Sequence, residues 1–157
     1  MSLPLPVANH EVFDRVASWL CHIPHAATIG IQFMQGERGR VTMLLPWQEK
    51  LVGNRKRGVL HGGVITSLVD TSSALSIFSL LDAPEAIATL DLRIDYLRPA
   101  TPGKPVYCTA ECYRLSGEIA FTRATAYQDD SNQPVAYSVG TFMRGSSHAT
   151  IGKGGAA

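Results

Sequence analysis

The chain of 157 residues is long enough for one domain that buries roughly two-thirds of the surface its unfolded form exposes, and short for two. Fourteen Lys and Arg against thirteen Asp and Glu leave a formal charge of +1, which lacks the basic excess of a protein that lives on nucleic-acid backbone. With 45% hydrophobic and 17% charged residues the chain can build a core, so wholesale disorder and fibrous repeats are excluded.

In chain order, Asn9 is placed to cap a first helix through about Cys21, with Val12, Phe13, Val16, Ala17 and Leu20 at helical spacing and an end before Pro24. Ile29 to Gln35 and Arg40 to Leu45 then read as two strands of a hairpin, and Pro46 to Gly58 as a loop carrying Asn54-Arg55-Lys56-Arg57. From His61 to Leu81 the sequence is helix-compatible and apolar or small on nearly every side, with Asp70 as its only formal charge; such a helix must be buried all round. Leu90, Leu92, Ile94 and Tyr96 alternate with polar residues and predict a strand with one face in the core. Val106 to Leu115, Ile119 to Gln128 and Val135 to Arg144 complete a predicted four-strand meander. The reading is one α+β domain over 1–145, with a helix and lead-in over 1–28, an antiparallel sheet wrapped around one long buried helix, and a flexible tail over 146–157.

The stretch from Val16 to Gly36 lacks Lys, Arg, Asp and Glu but holds Pro24, Gly30, two histidines and two glutamines, so it is no membrane span. The N-terminal residues show no secretory signal, and a cytoplasmic protein is expected. Cys21, Cys108 and Cys112 form no CxxC pair and read as reduced, packed thiols. His22-x-x-His25 has too few companions for a metal site, and no metal or cofactor is expected.

Chemistry concentrates where the buried helix begins. His61-Gly62-Gly63 puts unpaired N–H groups at the positive end of a helix dipole, where a developing oxyanion can be held. Asp70 follows two turns on, sharing that face with Thr66, and a lone carboxylate on a core helix costs free energy unless something uses it. Eight residues place Asp70 roughly 12 Å along the helix from Gly62. One carbonyl cannot easily reach both, so a symmetric dimer is expected, with Asp70 of one chain facing Gly62 of the other.

LHGGVITSLVDTSS followed by TLDLRIDYLRPA resembles the hotdog-fold acyl-CoA thioesterases of the PaaI type, within the 4HBT superfamily, over about residues 30 to 144. The resemblance implies a hotdog fold and hydrolysis of acyl-CoA, with Asp70 as base or nucleophile, the Gly62 amide polarising the thioester carbonyl, and His61 holding that carbonyl or the loop. It further implies roles for Asn54 and Thr89, and a homodimer pairing again into a tetramer as a dimer of dimers. Gly63 and Thr66 are expected to line the substrate site, and Arg55, Lys56 and Arg57 to meet the phosphates of CoA.

Plainer readings stand beside these. Gly62-Gly63 could be a tight turn, Asp70 a structural carboxylate, His61 a loop residue, Thr89 a β-branched strand filler, and the basic run a solvated loop. The absence of a G-x-S-x-G elbow disfavours an α/β serine hydrolase, and no Lys-Ser/Thr follows Gly53 to Gly58 as a phosphate loop requires. An acyl-thioester hydratase or dehydratase, and a non-catalytic acyl-CoA binding module, are the rival functions.

Overall fold

The first helix is set by its cap. In the computed structural model, which describes residues 5–145, Asn9 has extended backbone and its side chain accepts from the Val12 N–H at 3.2 Å. The helix α1 (His10–His22) buries Phe13, Val16, Ala17 and Leu20, the apolar stripe expected of it. The same asparagine donates through Nδ2 to the Asp82 carbonyl at 2.9 Å, so one residue starts α1 and ties it to the segment after the central helix. Pro24 ends α1 but does not end helical backbone. Its fixed φ suits a first helical position, and α2 (Pro24–Ile29) runs on to Gly30, whose φ of 81° stops it. Ile29 therefore closes a helix where a strand was expected to open, and β1 is Gln32–Glu37.

The strand β2 (Arg40–Leu45) follows as expected. The loop expected over 46–58 instead contains a turn of 3-10 helix, Glu49–Leu51, and a small ribbon of β3 (Val52–Asn54) with β4 (Val59–Leu60). Then comes α3 (Gly62–Phe78), shorter by a few residues at its far end than the sequence suggested. The remaining strands are β5 (Ile87–Tyr96), β6 (Val106–Ser116), β7 (Ile119–Tyr127) and β8 (Ala136–Arg144).

The main sheet is antiparallel in the order β1-β2-β6-β7-β8-β5, so the expected four-strand meander is a three-strand one. The free edge of β6 is taken by β2, which leaves β5 to pair with β8 at the far edge. A two-pronged ion pair fixes that placement: Arg144 at the end of β8 donates to both carboxylate oxygens of Glu85, at 2.6 and 3.0 Å, just before β5 begins. The expected inward row of Leu90, Leu92, Ile94 and Tyr96 also needs correction. The register slips between Thr89 and Asp91, and the extra residue switches the strand's phase there. Leu92 and Ile94 pack on the core, whereas Leu90 is 52% exposed and Thr89 takes the side that faces α3.

The sheet curls around α3, whose other side is covered by α1. Ile65, Leu68, Val69, Leu75, Ile77 and Phe78 are buried on it, but the stripe of Gly63, Thr66, Ser67, Asp70, Thr71 and Ala74 stays partly open, so the all-round burial expected of this helix holds for only part of it. Two of its buried serines are satisfied by the helix itself: Ser72 donates to the Leu68 carbonyl at 2.7 Å and Ser76 to that of Ser73 at 2.7 Å, whereas the buried Ser73 hydroxyl meets no partner among the described residues. Ser79 donates to the Ser76 carbonyl and accepts from the Gly39 N–H of the β1–β2 turn at 2.8 Å, joining helix to hairpin. The tail expected to be flexible, 146–157, lies outside the described residues.

Because Asn9 serves two segments, Asn9→Ala is expected to cost about 1 kcal/mol. That lowers the thermal midpoint by about 2–4 °C, and Asn9→Ser restores part of the loss by capping without reaching Asp82. Thermal denaturation of the three proteins measures this; identical midpoints would show that the cap holds nothing.

Candidate active site

The N-terminus of α3 is capped by the histidine that precedes it. His61 has extended backbone, and its Nδ1 accepts from the Gly63 N–H at 2.9 Å, so in the neutral ring the proton sits on Nε2. The ring is held from behind by the β3–β4 ribbon, where a Cβ on Gly53 would lie 3.0–3.1 Å from His61 atoms. This geometry separates the two glycines. The Gly63 N–H is spent on the cap, whereas that of Gly62 meets no acceptor among the described residues and is the one free to take a substrate oxygen.

The Gly62 peptide is clamped from its carbonyl side. Tyr96, at the end of β5, donates its hydroxyl to the Gly62 carbonyl at 2.7 Å, and Thr66 reaches the same oxygen at 3.2 Å. The Thr66 and Tyr96 hydroxyls are themselves 2.8 Å apart, so two protons serve three short contacts. A Cβ on Gly62 would come within 3.3 Å of the tyrosine ring and hydroxyl, so any larger residue here would press on the clamp and require Tyr96 to shift. Sequence reasoning placed Tyr96 on the inward face of a strand and missed this role. Its shared parity with Leu92 and Ile94 was the available sign that it faces the helix.

Asp70 lies half-buried in the middle of α3, and its Oδ1 accepts from Thr89 Oγ1 at 2.9 Å. Burial pushes its carboxyl above the usual carboxylate range, and the Thr89 hydrogen bond offsets part of that rise. The pair stands at the polar end of a cavity of about 210 Å³, whose walls include Trp19 of α1 and Ile23 just after it, Ala74 and Phe78 of α3, and Phe142 of β8. The contribution of α1 had no sequence signal, because it depends on how that helix docks.

The chain therefore holds two separate polar groups along α3. His61, Gly62, Gly63 and Thr66 gather at the start of α3 with Tyr96; Asp70 and Thr89 gather two turns along. α3 is unbroken between them, so Gly62 and Asp70 stand roughly 12 Å apart along its axis. Asn54 joins neither group: its Oδ1 accepts from the Arg57 N–H at 3.2 Å and closes its own turn. Arg55, Lys56 and Arg57 are exposed on that turn and form no ion pair among the described residues.

Other nucleophiles are poorly placed for chemistry. Burial drives the Cys108 thiol to about 12 and that of Cys112 to about 11, which keeps both protonated. His25 Nε2 meets Ser67 Oγ at 2.8 Å, but that hydroxyl donates back to the Gly63 carbonyl at 3.0 Å. Among the described residues no three His, Cys, Asp or Glu gather as a metal site, and no helix is long and apolar enough to cross a membrane.

The chain matches the family model of the thioesterase superfamily over residues 57–135. It is 29% identical over 137 residues to the medium/long-chain acyl-CoA thioesterase YigI of Salmonella typhimurium, covering 79% of this chain and 87% of that protein. A solved structure from Pseudomonas aeruginosa is 43% identical and superposes with a TM-score of 0.77 over 85% of this chain and 98% of its own. The PaaI protein of Escherichia coli, from the phenylacetic acid degradation operon, shares the fold at a TM-score of 0.75 and 20% identity, covering 87% and 94% of the two chains.

Asp70 also carries a stability signature. Its folded-state pKa is raised, so the ionised form is the one folding disfavours: the cost is present above that pKa and disappears as pH falls below the unfolded value of about 3.9. Asp70→Asn, whose amide oxygen can still accept from Thr89, should melt above the wild type at pH 8, with the gap closing on acidification. Melting curves across pH 3.5 to 8 test this, and a gap that widens in acid contradicts the assigned direction.

Proposed function

The chain belongs to the thioesterase superfamily and is a thioester hydrolase, and from that premise we propose that it cleaves acyl-CoA to a free acid and CoA at a site shared between two protomers. The observation that carries the reading is the half-buried Asp70, oriented by Thr89 beside an apolar cavity and two helical turns from the free N–H of its own helix start.

In the proposed reaction the Asp70 carboxylate takes a proton from water as the water oxygen bonds to the thioester carbon. A raised pKa makes that carboxylate a stronger base near neutral pH. The Gly62 N–H of the second protomer receives the carbonyl oxygen as it becomes an oxyanion, and the His61 Nε2–H beside it is a second donor. Collapse of the tetrahedral intermediate breaks the C–S bond. The leaving group is a thiolate whose conjugate thiol has a pKa of about 8–9, so no dedicated acid is required.

The edge strand supports the pairing. β5 has no neighbour on its outer side, touches Asp70 through Thr89, and touches Gly62 through Tyr96. Two β5 edges joined antiparallel about a two-fold near Leu92 and Arg93 bring Thr89 of each copy opposite Tyr96 of the other, and so Asp70 toward the other copy's Gly62. Leu90, Tyr96 and Leu97, all about half exposed, would be covered. A second contact, making a dimer of dimers, is offered by the outer face of the sheet, where Tyr113, Tyr137 and Val139 are exposed. The unpaired cations Arg55, Lys56 and Arg57 stand on the Gly62 side and suit the phosphates of CoA, with Asn54 shaping their turn.

The shared site is tested by complementation. Asp70→Ala and Gly62→Pro chains should each lose about 10²-fold or more in thiol release, and mixed dimers, in which one site carries neither lesion, should regain activity. Inactive mixed dimers, or an active monomer, would refute sharing. Thiol release from no acyl-CoA at all would favour the binding-module reading. Separately, replacing Arg55, Lys56 and Arg57 by Gln should raise KM for CoA esters by about tenfold while leaving pantetheine esters little changed. Equal effects on both substrates would return the run to a solvated loop.

A further inference from the structure

The cavity beside Asp70 has a size and a direction, and together they specify what it holds. Its polar side chains, Asp70, Thr71 and Thr89, lie at one end, and the rest of its wall is apolar. Along α3 it extends from Asp70 past Ala74 to Phe78, two helical turns or about 12 Å. Phe142, 1% exposed, and Phe78, 3% exposed, make the deep part rigid. Ala74 leaves the middle open because it has only a methyl group. The wall on the α1 side is different in kind. Trp19 lines the cavity and yet remains 43% exposed, so it is the one large side chain there with room to move.

Resting on the thioesterase reading above, we infer that the acyl group lies inside one protomer between α1 and α3, that the site takes medium-length straight-chain acyl groups of about eight carbons, and that Trp19 sets the limit. Two measures agree on the length. An extended alkyl chain with C–C bonds of about 1.5 Å advances roughly 1.3 Å per carbon, so about 12 Å accommodates about nine carbons. By volume, an apolar cavity of about 150 Å³ holds benzene, and at that packing 210 Å³ holds about eight carbons. A thioester carbon at the Asp70 end leaves the chain no polar partner beyond Thr71 and Thr89, so the cavity favours an unsubstituted alkyl tail over a hydroxylated one.

The first test is a series of saturated acyl-CoA esters from two to sixteen carbons. kcat/KM should rise by about fourfold per buried methylene, peak near eight carbons and stop rising thereafter. Ala74→Leu, which adds three carbons to the middle of the cavity, should move the optimum down by about three carbons; Trp19→Ala should move it up. An optimum at two carbons or at fourteen and above, or the same profile in all three proteins, would overturn the inference and leave the hydrolase reading intact. The second test needs no turnover. In an Asp70→Asn background octanoyl-CoA should change tryptophan emission and acetyl-CoA should not, and Trp19→Phe should remove the change, leaving only Trp47. A response that survives Trp19→Phe, or equal responses to both esters, would place the acyl group elsewhere. A protein that passes the emission test but hydrolyses none of the esters would retain the pocket assignment and lose the enzymatic one.

Discussion

Much of this structure follows from having to bury most of one helix. α3 leaves the narrow stripe of Gly63, Thr66, Ser67, Asp70, Thr71 and Ala74 partly open, so one element cannot cover the rest. The sheet curves to enclose one part of its circumference, and a second helix covers part of what remains. Closure recruits long-range ties: the Asn9 side chain joins the start of α1 to the segment past α3, and Ser79 joins the end of α3 to the first hairpin. The serines of α3 remain compatible with burial because most return their hydrogen bonds to the helix backbone.

The same requirement makes the site. A carboxylate on a buried helix is tolerated only at the seam where two covers meet, and Asp70 sits at such a seam, between α1 and the β5 edge. One partner, Thr89, holds one of its oxygens; the other accepts no hydrogen bond among the described residues. At the helix start the complementary condition holds. His61 uses up the N–H that would compete, and Tyr96 and Thr66 hold the carbonyl of the peptide, so a single donor is presented. The α3 axis keeps these two groups about 12 Å apart, and that separation is what the proposed pairing of two copies is built on.

How much of this the sequence discloses depends on range. α1 and its Asn9 cap, β2, and α3 with His61 before it are visible because each is specified by neighbours within a few residues. The brief β3–β4 ribbon is too short to show a period, and Pro24 reads as a stop although it serves equally well as a start. The placement of β5 beside β8 is a choice among free sheet edges that no local pattern encodes. The bulge at Leu90 broke the alternation on which the strand's inward face was read, and it is this bulge that turns Thr89 toward Asp70. Asp70 was legible as the only charged position, and Gly62 as a flexible one, in a helix otherwise apolar or small. The tyrosine clamp and the α1 wall were not, since both arise from packing between distant segments.

The origin of that wall separates two kinds of inheritance within one small protein. The groups proposed to handle the thioester lie within the stretch that matches the family model, residues 57–135, apart from the short turn carrying Asn54, Arg55 and Lys56. Trp19 and Leu20 of α1, and Ile23 just past its end, lie outside it. A substitution at Trp19 therefore reshapes the cavity wall while leaving the residues around Gly62 and Asp70 as they stand, so the size of the room and the tools at its door sit on different parts of the chain.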